Sequence, residues 1–470
     1  MYRYENWYRL YLRLDFPLLF FNIQALGNYH GQKNSSYPAK LKKVRKLKIA
    51  VIGLGYIGLP TAVMFANKGH QVVGVDVNQS VIKRLNNAKS GIEEPFLQEE
   101  LEKAVKQGNF IATTEIELAD VFIITVPTPS KKDLWKSCDL TYVIQAVTSI
   151  LPYLRANNTV VIESTVAPKT TESEILPLIE SVGLQVGTDV HLLHCPERVL
   201  PGRIIHELVY NDRIIGGVTP SCTEAGIKLY QAFAKGRLIP TNVATAELAK
   251  LMENTFRDVN IALANELVKV GETLEIDALK VIELANHHPR VNIHQPGPGV
   301  GGHCLAVDPN FIVATAPFAT PLIKEARSIN ESMPVYILTK VEEIMAHIGG
   351  NKITIFGLAY KGNSDDTRES PAMTIYQSLQ KQALYEVVAY DPRVSLDFVE
   401  KDINKALTNT DLLLILTDHS EFRKIASKHI ANMRNKLIFD TKGIVQNVDN
   451  AVSIINLGNM HTLKEVSIMT

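Results

Sequence analysis

The apolar run Ile49-Ala50-Val51-Ile52 passes directly into Gly53-Leu54-Gly55-Tyr56-Ile57-Gly58, and no other junction restricts the chain as much. Each glycine of this pattern has a physical duty. Gly53 makes the tight turn, Gly55 lets the backbone approach a pyrophosphate, and Gly58 allows a helix to pack closely on the strand. Residues 60–67 read as that helix, closed by Gly69, with its first amides aimed at the phosphates. Asp76 ends the next apolar run 18 residues after Gly58, where a carboxylate accepts both hydroxyls of an adenosine ribose. A 2′-phosphate would be repelled there, and no arginine follows at Val77 or Asn78, so NAD is favoured over NADP. Tyr56 and Ile57 belong to the same cofactor loop. Pro127 and Thr128, in the turn Val126-Pro127-Thr128-Pro129 after another buried run, are expected to border the cofactor cleft.

At 470 residues the chain exceeds what one core usually holds. Strand-like runs at 48–52, 71–76, 110–113, 121–126, 160–163 and 190–195 alternate with helical patterns, and a second series follows at 352–356, 385–391, 411–417 and 436–440. Between them, from 245 to about 347, helix-period apolar residues run with few breakers. The expected fold is α/β, two Rossmann-like doubly wound parallel-sheet domains joined by a central helical domain. The expected boundaries are 47–240 for the NAD-binding domain, 241–347 for the helical domain and 348–470 for the second α/β domain. The two α/β blocks share too few residues to be read as an internal repeat. Residues 1–46, aromatic-rich and then basic, read as a mobile extension or an upstream start-site artefact, with transient membrane or partner contact as the alternative.

Charge is balanced, 49 basic against 49 acidic residues, which removes the electrostatic argument for a nucleic-acid partner. Cys138, Cys195, Cys222 and Cys304 are far apart and form no Cys-x-x-Cys pair, so neither a disulfide framework nor a metal site is expected, and a reducing cytoplasm is. No apolar run reaches the roughly 18 to 20 residues that span a bilayer. The short Phe16-to-Phe21 run is broken by Pro17 and does not read as a secretory signal.

A lone cysteine is more often a small buried hydrophobe than a nucleophile. Cys304, however, follows Gly299, Gly301 and Gly302, and Asp308 comes four residues later. A loop without side chains lets substrate reach the sulfur and offers backbone amides to an oxyanion. In the helical middle, Lys250 and Asn254 stand i, i+4 on one face, continued by Arg257 and Asp258 along an otherwise apolar helix. An ammonium and a carboxamide so placed could steady an oxyanion. Two further strand ends carry Glu163-Ser164-Thr165 and Cys195-Pro196-Glu197-Arg198-Val199, with Cys195 read as structural because it lacks a glycine loop. A thiolate beside a dinucleotide site points to an aldehyde oxidised through a covalent thioester.

Over residues 47–450 the chain resembles the UDP-glucose/GDP-mannose dehydrogenase family. The resemblance rests on the segments from Cys195 to Gly202 and Asn211 to Gly217, Lys250 to Glu266, and His288 to Cys304. It implies four-electron oxidation of a sugar C6 hydroxyl to the carboxylate with two NAD consumed, on UDP-N-acetyl-D-mannosamine first, with UDP-N-acetylglucosamine or UDP-glucose as siblings. It further implies Cys304 as nucleophile, Lys250 and Asn254 at the oxyanion, and Asp308 and Thr165 handling water and protons. Glu197, Arg198, Val199, Arg257, Gly301, Tyr360 and Lys361 are implied on the substrate, and Arg368 near NAD. Arg290 matches an arginine that reaches a neighbouring subunit's site, implying a homodimer. Relatives acting on UDP-glucose carry a second glutamate where this chain has Pro201, so Glu197, Asp308 or a water held by Lys250 must act as base. A competing reading, an NAD-binding protein without turnover, would need no thiolate, and neither would a two-electron hydroxyacid dehydrogenase.

Overall fold

The computed structural model describes residues 45–446, 448–449 and 451–465. The extension expected at 1–46 falls outside them except for its last two residues. The first sheet holds β1 (Lys48–Ile52), β2 (Gln71–Val75), β3 (Phe110–Thr113), β4 (Val121–Ile124), β5 (Thr159–Ile162), β6 (His191–His194), β7 (Arg213–Gly217) and β8 (Leu238–Asn242). Their order is β3-β2-β1-β4-β5-β6-β7-β8, and the first six strands are mutually parallel. Order reverses between β1 and β4, which opens a crevice at their carboxyl ends. Successive residues of β1 serve opposite faces: Ile49 and Val51 pack with Leu59 and Phe65, Ala50 and Ile52 with Phe122 and Val147. Burying both faces removes each of these side chains from water, worth about 1.5–3 kcal/mol apiece.

Two strands at this sheet's far edge were not expected from sequence. β7 runs antiparallel to β6, pairing Leu193 with Gly217 and His194 with Gly216, and β8 then pairs parallel to β7. Arg213-Ile214-Ile215-Gly216-Gly217 ends in two glycines and β8 contains Pro240, so neither shows a strand's alternation. The glycines answer to packing: a Cβ on Gly216 would lie 2.5 Å from Ala246 Cβ, and one on Gly217 2.3 Å from the Thr223 amide.

The second sheet comprises β9 (Lys352–Phe356), β10 (Glu386–Tyr390), β11 (Val399–Glu400), β12 (Leu412–Ile415), β13 (Leu437–Asp440) and β14 (Ser453–Asn456), all parallel, in the order β11-β10-β9-β12-β13-β14. This is the winding of the first six strands of the other sheet, so the kinship between the blocks lies in topology. It extends to two side chains. Asp76 after β2 accepts the Leu54 amide at 3.0 Å, and Asp391 after β10 accepts the Leu358 amide at 2.8 Å. Asp391, however, is fully buried and also takes the Arg393 and Val394 amides and His419 Nε2. It has no face left for a ribose.

Between the sheets, the helices Val243–Leu274 and Pro321–Ile348 pack on each other. Asn242 caps the first by accepting the Thr245 amide at 2.8 Å. Buried Asp258 accepts Arg327 Nη1 at 2.7 Å and Asn330 Nδ2 at 2.9 Å. Asn265 donates to Asn330 and accepts the Gly297 amide, which ties both helices to the start of the glycine loop. No helix among the described residues is long and apolar enough to cross a membrane.

Candidate active site

At the mouth of the first sheet Gly53 has φ +95°, and a Cβ there would lie 2.8 Å from the Thr125 carbonyl oxygen. A Cβ on Gly58 would fall 1.9 Å from the Gly53 oxygen and 2.4 Å from Thr125 Oγ1, whereas one on Gly55 meets nothing within 4 Å. Two glycines therefore permit tight packing and the middle one faces open space. That cradle, with Asp76 at the end of β2, fits a dinucleotide pyrophosphate and ribose. Asn78 caps the following helix, Gln79–Asn86. Tyr56 is exposed and Ile57 half-buried beside it. Across the crevice Pro127 is exposed and Thr128 half-buried, and Ser164 Oγ donates to the Val126 oxygen at 2.7 Å, holding that turn against the end of β5, where Thr165 follows. Gly58→Ala is expected to lower stability by about 1–3 kcal/mol and abolish NAD binding, because the helix must retreat from the strand. Thermal melting and NAD titration check this; an unchanged melting temperature and affinity would refute it.

The helix Val243–Leu274 presents Lys250 and Asn254 to one acceptor. Lys250 Nζ lies 2.5 Å and Asn254 Nδ2 2.6 Å from the same oxygen, Asp308 Oδ2. Asp308 opens the helix Asp308–Thr315, and its amide donates back to the Cys304 carbonyl at 2.8 Å, forming the turn that the four-residue spacing requires. The Lys250 and Asp308 side chains are only 8% and 4% exposed. Burial works against the Lys250 charge, yet Asp308 and Cys304 hold the ammonium above the ordinary lysine value.

Cys304 itself is exposed. Surrounding atoms wall it on its other sides and push its thiol up from the ordinary value; Lys250 opposes that rise, Asp308 adds to it, and Arg368 and Lys361 pull it down. Its loop is moulded on the second sheet's domain. A Cβ on Gly301 would lie 2.3 Å from the Glu369 oxygen, and one on Gly302, at φ +85°, would lie 2.6 Å from the Tyr360 ring. The glycines thus serve docking as well as access. Tyr360 carries Lys361 Nζ 5.7 Å from its ring centroid, and Arg368 clasps Asp366 with bonds of 2.8 and 2.6 Å. The Arg368 charge bears on Tyr56, Tyr360 and Cys304, so this loop gathers at the crevice with the glycine turn.

After β6, Glu197 pairs through Oε2 with Arg213 Nη2 at 3.0 Å and takes the Arg198 amide on Oε1 at 2.7 Å. Arg198 bonds the Asp212 carbonyl and Glu253, three residues beyond Lys250, and Val199 packs on the first sheet's core. Arg257 and Arg290 are exposed and form no hydrogen bond or ion pair with Cys304, Lys250 or Asp308. Cys195 is buried with its thiol pushed up to about 12 by burial. Among the described residues no cluster of His, Cys, Asp and Glu could hold a metal ion. Sequence reading gave no role to Glu163, Arg213, Tyr230 or Glu94. The first two sit inside segments already singled out, but what they do depends on partners 16 to 102 residues away. Glu94 carries no signal at all, yet its carboxylate accepts the Gly202 and Ile204 amides at 2.7 and 2.6 Å and pins the turn that holds Pro201.

Three family models match in succession: the UDP-glucose/GDP-mannose dehydrogenase NAD binding domain over 47–234, central domain over 244–332 and UDP binding domain over 354–447. The chain belongs to the UDP-glucose/GDP-mannose dehydrogenase family. As a member it is an NAD-dependent nucleotide-sugar dehydrogenase with a UDP-binding domain. It is 44% identical over 415 residues to the UDP-N-acetyl-D-mannosamine dehydrogenase of Methanococcus vannielii, covering 86% of this chain and 95% of that one. It is 45% identical over 409 residues to an NDP-N-acetyl-D-galactosaminuronic acid dehydrogenase of Ralstonia solanacearum, covering 84% and 96%. Among solved structures, the native UDP-N-acetyl-mannosamine dehydrogenase of Staphylococcus aureus matches with a TM-score of 0.83 and 52% identity, over 89% of this chain and all of that one.

Proposed function

We propose that this dehydrogenase oxidises the C6 hydroxyl of UDP-N-acetyl-D-mannosamine to the carboxylate through a thioester on Cys304, in the cytoplasm, for a surface polysaccharide. The observation that carries the reading is the convergence of Lys250 and Asn254 on Asp308 Oδ2, one turn from an exposed Cys304. Likeness to UDP-N-acetyl-mannosamine dehydrogenases supports the sugar. NAD, when bound in the glycine cradle, supplies the hydride acceptor for both oxidations. Lys250 and Asn254 donate to the oxygen that becomes anionic as Cys304 Sγ adds to the C6 aldehyde. Their ammonium and amide hydrogens, now shared with Asp308, are aimed before the charge develops. Oxidation of that adduct leaves a thioester, and water then cleaves its C–S bond, releasing the carboxylate and returning the thiol. Asp308, held against Lys250, Thr165 and Glu197 are the groups we assign to water and proton traffic. Arg198, Val199, Arg257, Gly301, Tyr360 and Lys361 are assigned to the sugar nucleotide, and Tyr56, Ile57, Pro127, Thr128 and Arg368 to the NAD side.

The same reading includes a three-part chain, with boundaries near 241 and 348, and a homodimer. An apolar stripe on the helix Val243–Leu274, exposing Leu248, Met252, Phe256 and Leu263, supports a second copy there, with Arg290 reaching the partner's site. A panel of UDP-N-acetyl-D-mannosamine, UDP-N-acetylglucosamine and UDP-glucose is expected to give the highest kcat/KM with the first. About two NADH should form per sugar, as alcohol-to-acid oxidation requires. One NADH per sugar would remove the thioester step, and preference for UDP-glucose would overturn the substrate.

A further inference from the structure

We propose that Arg213 is the positioning residue that sets the Glu197 carboxylate and its loop for the sugar, and that Glu163 competes with Glu197 for it. The inference rests on the functional reading above and deepens it. Arg213, Glu197 and Glu163 are all but sealed from solvent, with side chains 5%, 7% and 0% exposed. The guanidinium lies 3.0 Å from Glu197 Oε2 and 3.9 Å from Glu163 Oε1. Its flat face meets the Tyr230 ring at 4.7 Å and the Phe233 ring at 5.5 Å, a seat that a lysine ammonium could not fill in the same way. One buried cation thus serves two carboxylates. Either the cluster carries a net negative charge or one carboxylate holds a proton.

Two donors face Glu163 besides Arg213: Tyr230 OH and, at 3.2 Å, Thr61 Oγ1 of the helix that follows the glycine turn. Burial pushes the Glu163 carboxyl up to about 7; Arg213 pulls it down and Glu197 adds to the rise. Among the other titratable neighbours, the Cys195 thiol is pushed up to about 12 and the Tyr230 phenol well above its ordinary value, both by burial. Arg213 stands closer to Glu197 than to Glu163, so Glu163 is the carboxyl of the pair that holds the proton. Below about pH 7 Glu163 is neutral and Arg213 belongs to Glu197. Above it, ionised Glu163 draws the guanidinium away, and the loop from Glu197 to Val199 loses the contact that orients it. Because Thr61 joins Glu163 to the glycine-turn helix, the cluster also links the cofactor side of the sheet to the sugar loop.

The experiment measures kcat and KM for UDP-N-acetyl-D-mannosamine from about pH 6 to about pH 8.5, a span that brackets the Glu163 transition. Wild type is expected to show KM rising roughly five- to tenfold across it, the size of an ordinary coupling between sites, with kcat changing less. Glu163→Gln, which keeps the shape, should remove the rise; a wild-type KM profile in this variant would overturn the proposal. Tyr230→Phe deletes a donor to the carboxylate and should move the rise to higher pH, so an unmoved inflection overturns it even if Glu163→Gln fails to fold. Arg213→Lys should raise KM at every pH, and full rescue by lysine would show that a charge alone suffices. If wild type makes no NADH from any UDP-sugar, the functional reading fails first and the inference falls with it.

Discussion

Cys304→Ala is expected to cut uronate formation by about 10⁴-fold or more, as loss of a covalent nucleophile does when the rest of the site remains. NAD affinity should be retained, because Gly53 and Gly58 pack on Thr125 and its neighbours and Gly55 faces open space, none of which depends on the sulfur. Cys304 is exposed and its loop is held by Gly301 and Gly302 against Glu369 and Tyr360, so stability should change by less than about 0.5 kcal/mol. The variant therefore separates chemistry from folding. At most about one NADH per sugar should form, since an aldehyde without a thiol cannot become a thioester. Product analysis and NADH counting read this directly; near-normal acid production would mean that another residue carries the chemistry.

Lys250→Met is expected to lower kcat by about 10²–10³, the usual loss when a preorganised donor to an oxyanion is removed. It should also cost about 3–5 kcal/mol of stability, because Asp308 would be left buried with Asn254 as its remaining side-chain donor. The two effects come apart in the double variant Lys250→Met with Asp308→Asn. Removing the orphaned charge should restore most of the melting temperature while activity stays lost. If the single variant kept wild-type kcat, Lys250 would have only a structural part. If the double variant were no more stable than the single one, the buried pair would not be the source of the cost.

Much of this arrangement was legible from residue order. The glycine turn, Asp76, the pairing of Lys250 with Asn254 and the spacing of Asp308 from Cys304 are all local. Helix and strand periods and a tight turn convert such spacings into geometry with little help from the rest of the chain. The helical middle was legible for the same reason. β7, β8, β11 and β14 were not: β7 ends in two glycines, β8 contains Pro240, β11 has only two residues, and nothing in the four residues of β14 sets them apart from a loop. The doubly wound class of both sheets was legible from their alternating strand and helix patterns, but the strand-for-strand match of their order was not, since topology constrains which strands neighbour each other without requiring the same side chains.

From the sequence alone follow the family, the cofactor cradle and the residue types gathered around Cys304, because each depends on groups a few positions apart. Only the tertiary structure decided that Lys250 and Asn254 share one oxygen of Asp308 and that the glycines before Cys304 dock on Tyr360. The same holds for Arg213, which stands between Glu163 and Glu197. Those contacts join elements some 16 to 58 residues apart, and an ion pair or a close backbone approach over such distances exists only once sheets and helices have packed.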